Sequence, residues 1–341
     1  MAGRRITIKD LARRLNLSTS TVSRALANHS DVSEDTKRLV TQLATELDYH
    51  PDPNAVNLKQ RRTNVIGLII PRIVNRFFSK ALGGIQQVVN EHGYTIILSQ
   101  SGESLAKEKE NVETMLTNRV DGLIVSLSKE TVNVNHFNRV VNTETPIIFF
   151  DRVNEELNTS RVIIDDYEAS YKAVEHLVEQ GCKRIAHIAG PPNLFTSRKR
   201  LEGYKDALRD HGLPVHKELI ASSFYESPNV KEYTDYLLSL PTLPDGIFAI
   251  NDPSAIEMMY YIKKNGLSIP KDIAIVGFNN ESIDSFLDPP LSSVESPAEQ
   301  LGRSAAQLLF NHIQNRDLPA KCEVIKSKLI IRESSLKSRY L

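Results

Sequence analysis

The sequence predicts an α/β protein: an N-terminal three-helix head containing a helix-turn-helix, a hinge, and two doubly wound α/β lobes. Three observations carry this prediction. The first fifty residues hold short stretches with apolar side chains at helical spacing; residues 51–62 are polar, basic and proline-bearing; and from Val65 onward short apolar β-rich runs alternate with helical ones. The corresponding boundaries are 1–50 for the head, 51–64 for the hinge segment and 65–341 for the two-lobed domain, and a length of 341 residues accommodates them.

In the head, Ile8, Leu11, Ala12 and Leu15 share one helical face behind Thr7, an N-cap residue. The pattern breaks at 16–18, and Ser18 caps a second helix, 19–26, that turns Val22, Ala25 and Leu26 inward. Two short helices joined by a tight turn form a helix-turn-helix. A third helix follows Ser33, with Glu34 and Asp35 in its first turn, where carboxylates complement the helix dipole; it carries Leu39, Val40, Leu43, Ala44 and Leu47. The exposed face of the second helix is Thr19, Ser20, Thr21, Ser23 and Arg24. Hydroxyls of this kind reach phosphates or base edges in a major groove, and a guanidinium fits guanine O6 and N7. The competing reading is a well-capped helix of a small bundle.

Residues 51–62 contain Pro51 and Pro53 and too few apolar side chains to fold alone, and 54–59 would form little more than one turn. Beyond the hinge, strands are predicted at 65–70, 94–99, 121–126 and 146–150, then in a second series at 161–165, 184–189, 218–223, 245–250 and 272–277, with helices such as 167–180 and 254–265 between them. Fully apolar strands alternating with helices imply parallel sheets covered on both faces. Ligands of such sheets sit beyond the carboxyl ends of the strands. The candidates there are 72–78, Asp151, Arg152, Asp165, Asp166, 190–200, Asn251, Asp252, Asn279 and Asn280, polar groups with two phenylalanines that suit a small hydroxylated ligand.

Composition narrows the function. Lys plus Arg and Asp plus Glu each number 42, yet residues 1–64 hold 11 basic and 7 acidic side chains, net +4, while the remainder holds 31 and 35, net −4. The basic head fits a nucleic-acid footprint. No apolar run of membrane-spanning length occurs and the N-terminus is charged, so a cytoplasmic protein is expected. Cys182 and Cys322 are too few for a disulfide framework or a Cys-rich zinc site, and both are expected as small core hydrophobes. The glycine-rich dinucleotide and phosphate loops, the nucleophile elbow and the zinc-protease motif are all missing, and the nine histidines are scattered. No enzyme and no cofactor is expected. A transport-type binding protein would need a secretory signal and would lack the head.

Four segments, Thr7-Ile-Lys-Asp-Leu-Ala, Ser18-Thr-Ser-Thr-Val-Ser-Arg-Ala-Leu-Ala-Asn28, Val32-Ser-Glu-Asp-Thr36 and Leu47-Asp-Tyr-His-Pro51, resemble the lactose-repressor (LacI/GalR) family of bacterial transcription regulators. Gly190-Pro191, Arg200-Leu-Glu-Gly-Tyr204, Ile250-Asn-Asp252, Val276-Gly-Phe278 and Pro289-Pro-Leu-Ser-Ser-Val294 resemble the family's sensor domain, which is similar to periplasmic sugar-binding proteins. The resemblance implies base contacts from Thr19, Ser20 and Arg24 and phosphate contacts from Thr21 and Ser23. It implies a hinge helix that forms on DNA and binds it through Asn54, Leu58 and Lys59, with Leu58 paired with that of a second chain to pry open a base step in the minor groove, and an exposed Leu in a basic linker fits such a wedge. In the sensor it implies that Phe77 and Phe78 line the cleft, that Arg200 donates to ligand oxygens, and that Asp151, Asn251 and Asn279 ring the ligand. As a cleft residue, Arg200 is expected to be dispensable for folding.

Two departures qualify that picture: Arg76 stands where the family has Pro, and Asn279 where it has an acid, which together would favour a more anionic ligand such as a sugar acid or sugar phosphate; the competing reading is that Arg76 points to solvent. The implied function is a homodimeric repressor on a near-palindromic operator, controlled by a sugar or sugar derivative bound between the lobes in a ligand-binding and dimerisation domain. The alternative is a regulator of the same fold controlled by a partner protein or co-repressor.

Overall fold

The computed structural model describes residues 6–49, 62–222 and 230–337. The hinge positions Asn54, Leu58 and Lys59 lie outside the described residues. The chain divides into two compact units, Met1–Asn64 and Val65–Leu341.

In the first unit, α1 (Ile8–Leu15), α2 (Thr19–Leu26) and α3 (Glu34–Glu46) enclose Leu11, Val22 and Val40, all fully buried, with Ala12, Ala25, Val32 and Ala44 around them. Local chemistry sets the helix starts. The Asp10 carboxylate accepts from the Thr7 N–H at 3.0 Å and hydroxyl at 2.7 Å, Ser18 accepts from the Thr21 N–H at 3.0 Å, and Ser33 from the Thr36 N–H at 3.4 Å. Leu39 departs from expectation: it is 53% exposed, because it lies one residue before Val40 and so off the buried stripe.

The second unit contains two six-stranded sheets. In chain order its elements are β1 (Val65–Ile70), α4 (Arg76–Glu91), β2 (Thr95–Gln100), α5 (Leu105–Thr117), β3 (Gly122–Val125), α6 (Asn138–Asn142), β4 (Ile147–Phe150), β5 (Ser160–Ile164), α7 (Asp166–Glu179), β6 (Ile185–Ala189), α8 (Phe195–Asp210), β7 (Ile220–Ser222), α9 (Val230–Ser239), β8 (Gly246–Ala249), α10 (Asp252–Lys264), β9 (Ala274–Asn279), β10 (Ser292–Glu295), α11 (Ala298–Gln314), β11 (Cys322–Ile325) and β12 (Lys328–Ile330). The first sheet runs β11-β5-β4-β3-β1-β2, parallel throughout; the second runs β12-β10-β9-β8-β6-β7, parallel except where β12 lies antiparallel to β10. Each sheet is covered by an apolar cluster on either face, so its central strands are buried on both sides.

The lobes do not follow the two series read along the chain. β5 belongs to the first sheet, and the sixth strand of each sheet comes from residues 322–330, so the chain passes between lobes after β5, after β10 and after β11. Short edge strands such as β11, with one buried residue in four, carry too weak an apolar signal to be read beforehand. The same exposure corrects the expectation for Cys322, which is exposed on β11, whereas Cys182 is buried.

Glycines let α4 and α11 cross closely on the first lobe. A Cβ at Gly84 would lie 2.0 Å from the Glu299 carbonyl oxygen, and one at Gly302 2.1 Å from that of Ala81. Gly84→Ala should therefore force the helices apart and destabilise the unit by about 1–3 kcal/mol, read from its denaturant midpoint; an unchanged midpoint would show that the helices slide without cost.

Candidate functional site

A cleft of about 300 Å³ lies between the lobes at the carboxyl ends of the strands. Its first-lobe wall is the start of α4, where Asn75 caps the helix by accepting from the Phe77 N–H at 2.9 Å, followed by Phe77 and Phe78; Asp151 and Arg152 join from the end of β4. Its second-lobe wall comes from the segment after β6 through Arg200, from Asn251 and the first turns of α10, and from Asn279. All six residues expected around a ligand, Phe77, Phe78, Asp151, Arg200, Asn251 and Asn279, line this one cleft.

Backbone conformation turns some of them inward. Asp151 and Asn279 have φ of 57° and 110°, left-handed values that end a strand abruptly and that Asp and Asn tolerate better than most residues. Phe77 and Phe78 meet edge to face at 5.3 Å, giving the cleft an aromatic floor. Asn251 caps α10 by accepting from the Ser254 N–H at 2.9 Å, and the Asn279 side-chain oxygen accepts from Ser296 at 3.0 Å, so each side-chain NH2 remains a donor without a partner among the described residues. Across the cleft from these donors stands the carboxyl of Asp151, and beside Asn251 on α10 that of Glu257, neither with a hydrogen-bond or ion-pair partner among the described residues. Donors facing acceptors across an aromatic floor suit hydroxyl groups, which do both.

In the head, Thr19 and Ser20 are exposed on α2, while Thr21, Ser23 and Arg24 are half-buried. The Arg24 guanidinium donates to Asp31 at 2.6 Å and to the Ser20 carbonyl at 3.4 Å, so in the free protein it lies along the helix surface.

A model for bacterial regulatory proteins of the lacI family matches residues 7–52, and one for a periplasmic binding protein-like domain matches residues 174–335. The HTH-type transcriptional repressor CytR of Escherichia coli strain K12 is 32% identical over 329 residues, spanning 96% of this chain and 96% of that protein. The chain belongs to the lacI family of bacterial regulatory proteins. Among solved structures, the complex of the transcriptional regulator CelR with cellobiose matches with a TM-score of 0.72 at 25% identity, covering 97% of this chain and 100% of that one. The lac repressor dimer bound to operator and the anti-inducer ONPF matches with a TM-score of 0.86 over 98% of this chain and 100% of that one, a likeness of fold at 24% identity. This lacI-family protein is thus a DNA-binding regulator of transcription, and its relatives are repressors, not enzymes. Among its described residues no helix is long and apolar enough to cross a membrane, and no cluster of His, Cys, Asp and Glu could hold a metal ion.

The electrostatics of this lacI-family cleft differ from the expectation of an anionic ligand. Arg76 does not line it; its guanidinium crosses the rim to the opposite lobe, meeting the Ser282 hydroxyl and lying 3.4 Å from the Glu281 carboxylate. The two guanidinium groups that do line it are already matched. Arg152 donates to Glu103 at 2.7 Å and, against the effect of burial, holds that carboxyl below its ordinary range. Arg200 donates through Nε to Asp166 at 2.7 Å and through an Nη to the Ile250 carbonyl at 2.7 Å, with its guanidinium 3.5 Å from the Phe278 ring centroid. Arg200 is itself buried, which corrects the expectation that it stands apart from the folded core. Burial pushes the Asp151 carboxyl up to about 7, helped by Asp166 and Glu103 and opposed by Arg152 and Arg200.

Sequence reasoning missed Ser254 and Glu257. They follow Asn251 at intervals of three on the cleft-facing side of α10, a spacing that could have found them once Asn251 was placed at the helix cap. On the opposite margin Asn193 of the second lobe donates to the carbonyls of Lys129 at 2.7 Å and Thr131 at 3.2 Å in the first.

Proposed function

We propose that the protein is a transcriptional repressor whose operator affinity is set by a small neutral hydroxylated ligand, a sugar or sugar derivative, bound in the interlobe cleft. The observation that carries this reading is the cleft itself: an aromatic floor, unengaged amide donors on Asn251 and Asn279, unengaged acceptors on Asp151 and Glu257, and both arginines already neutralised. Phe77, Phe78, Asp151, Arg200, Asn251 and Asn279 contact the ligand, and Arg200 does so with the N–H groups that Asp166 and Ile250 leave free. The cellobiose seen with CelR is a ligand of this kind. Residues 1–50 act as the DNA-binding domain, 51–64 as a hinge ordered by DNA through Asn54, Leu58 and Lys59, and 65–341 as the ligand-binding and dimerisation domain of a homodimer, as the lac repressor is a dimer on its operator. Two heads of this size reading two half-sites supply the specificity that one cannot.

The test joins a thermal-shift screen of neutral, acidic and phosphorylated sugars to operator selection from random DNA. A ligand at a hundred times its dissociation constant raises stability by about 2.7 kcal/mol, and it should also shift operator affinity. Stabilisation by sugar phosphates alone would overturn the neutral-ligand reading.

For the head, Thr19, Ser20 and Arg24 read bases and Thr21 and Ser23 hold phosphates. Arg24→Ala should cost about 1–3 kcal/mol in discrimination at one base pair of the selected operator. Equal losses on operator and random DNA would move Arg24 from base to backbone.

A further inference from the structure

Behind the second-lobe wall of the cleft two carboxyl groups are buried together. Asp252 opens α10 directly after Asn251, and Asp284 lies in the short 3-10 turn Ser282–Phe286 that follows β9; both are 0% exposed. The oxygens of Asp252 are satisfied: Oδ1 accepts from the Ser293 hydroxyl at 2.6 Å and Oδ2 from the Glu281 N–H at 3.0 Å. Asp284 is the opposite case. Neither of its oxygens receives a hydrogen bond from a described residue, and its side chain contacts the Asp252 carboxyl. Two ionised carboxylates in contact would be a bare buried charge beside another, and burial favours the protonated form of one. The site even makes room for the pair, since a Cβ on Gly277 would fall 2.2 Å from Asp252 Oδ1.

We propose that Asp284 is held protonated and donates its proton to Asp252, and that this shared proton positions the second-lobe wall of the cleft. Asp252 ties together the start of α10, where Asn251 faces the cleft, the Ser293 hydroxyl of β10, and the Glu281 N–H. Glu281 in turn meets Arg76 across the rim. The Asp284 proton thus completes a chain of contacts from the back of the wall to the opposite lobe.

The charged groups around the pair do not offer a substitute cation. Arg332 is engaged by the Leu291 carbonyl at 2.6 Å and the Asn280 side-chain oxygen at 2.7 Å, Arg76 and Lys80 of α4 act on Glu281, and Lys263 of α10 is turned to Asp288. Burial, then the Asp252 charge, push the Asp284 carboxyl up to about 8 against the pull of Arg332 and the Glu281 backbone. Asp252 is raised by burial as well, against its own donors. At Asp284 the folded chain therefore holds a proton that the unfolded chain has given up from about pH 4 to pH 8. The contribution to stability is complete below that window, falls as pH rises through it and is flat above it.

The bearing on ligand control rests on the reading of the cleft given above; the proton itself is tested without ligand, so the two can fail separately. Asp284→Asn is neutral at every pH and keeps a donor for Asp252. Its melting temperature should match the unmodified protein below about pH 4, exceed it increasingly from there up to about pH 8, and hold that margin beyond. Hydrogen exchange at 279–286 should rise above pH 8 beyond its intrinsic pH dependence in the unmodified protein and not in Asp284→Asn. A melting difference that ignores pH would overturn the proposal. A second measurement needs no substitution at 284: in an Asp151→Asn background, which removes the cleft acid that titrates near pH 7, the infrared carbonyl band of a protonated carboxylic acid should persist at pH 7 and disappear by pH 9.5. Loss of that band below pH 6 would equally overturn it.

Discussion

Arg200→Ala is expected to destabilise the two-lobed unit by roughly 3–5 kcal/mol at pH 8, the cost of leaving a buried charge without its partner. Asp166 is 2% exposed, and Arg200 is the group that most opposes the rise in its carboxyl pKa caused by burial. Without the guanidinium, Asp166 escapes its predicament only by taking up a proton, so the folded variant binds protons more tightly than the unfolded chain. Its stability should then fall as pH rises, and the penalty should be smaller at pH 5 than at pH 8. Asp166→Asn in the same chain should recover part of the loss, a coupling that independent sites would not show. Ligand response should vanish even where folding is restored. A penalty under about 1 kcal/mol at pH 8, read by chemical denaturation, would mean that Asp166 does not depend on Arg200.

Leu11→Ala is expected to unfold the head and leave the rest of the protein standing. The head's core is Leu11, Val22 and Val40 with Val32 and three alanines, and a Leu→Ala change at a fully buried site costs about 2–5 kcal/mol. A domain of this size has only about 3–5 kcal/mol to lose. Operator binding should therefore disappear in fluorescence anisotropy while the main thermal transition of the sensor keeps its midpoint. Retained operator binding would show that DNA refolds the head or that its core is larger than these residues.

Much of this architecture was legible in the sequence because its signals are local. Ser18 and Ser33 announce helices by capping them, and runs such as Val65–Ile70 announce buried strands by being apolar without interruption. The cleft residues were legible for a topological reason, since strand ends converge wherever parallel sheets are wound. What stayed hidden depends on partners distant along the chain. Arg76 reads as a ligand-facing cation until Glu281 and Ser282 are found opposite it, and Arg200 reads as a cleft residue until Asp166 and Phe278 are found around it. Asp284 accepts no hydrogen bond from the serines beside it in sequence, Ser282 and Ser285, and its explanation lies at Asp252. β11 and β12 were hidden because short, half-exposed edge strands differ little in composition from loops.

The threefold passage of the chain between the lobes sets the order in which the protein can be built. Each sheet takes its sixth strand from residues 322–330, so during synthesis neither lobe can close its edge until more than 250 residues of the unit have left the ribosome. The head, whose three helices enclose a core of their own, needs no such wait. At about 5–20 residues per second a nascent chain therefore carries a folded DNA-binding head for some tens of seconds while its sensor is still open-edged, and both lobes are completed together, at the end, by the same short stretch of polypeptide. A frameshift or premature stop ahead of Cys322 would consequently strip one strand from each sheet at once, leaving a folded head attached to a sensor with two unpaired edges.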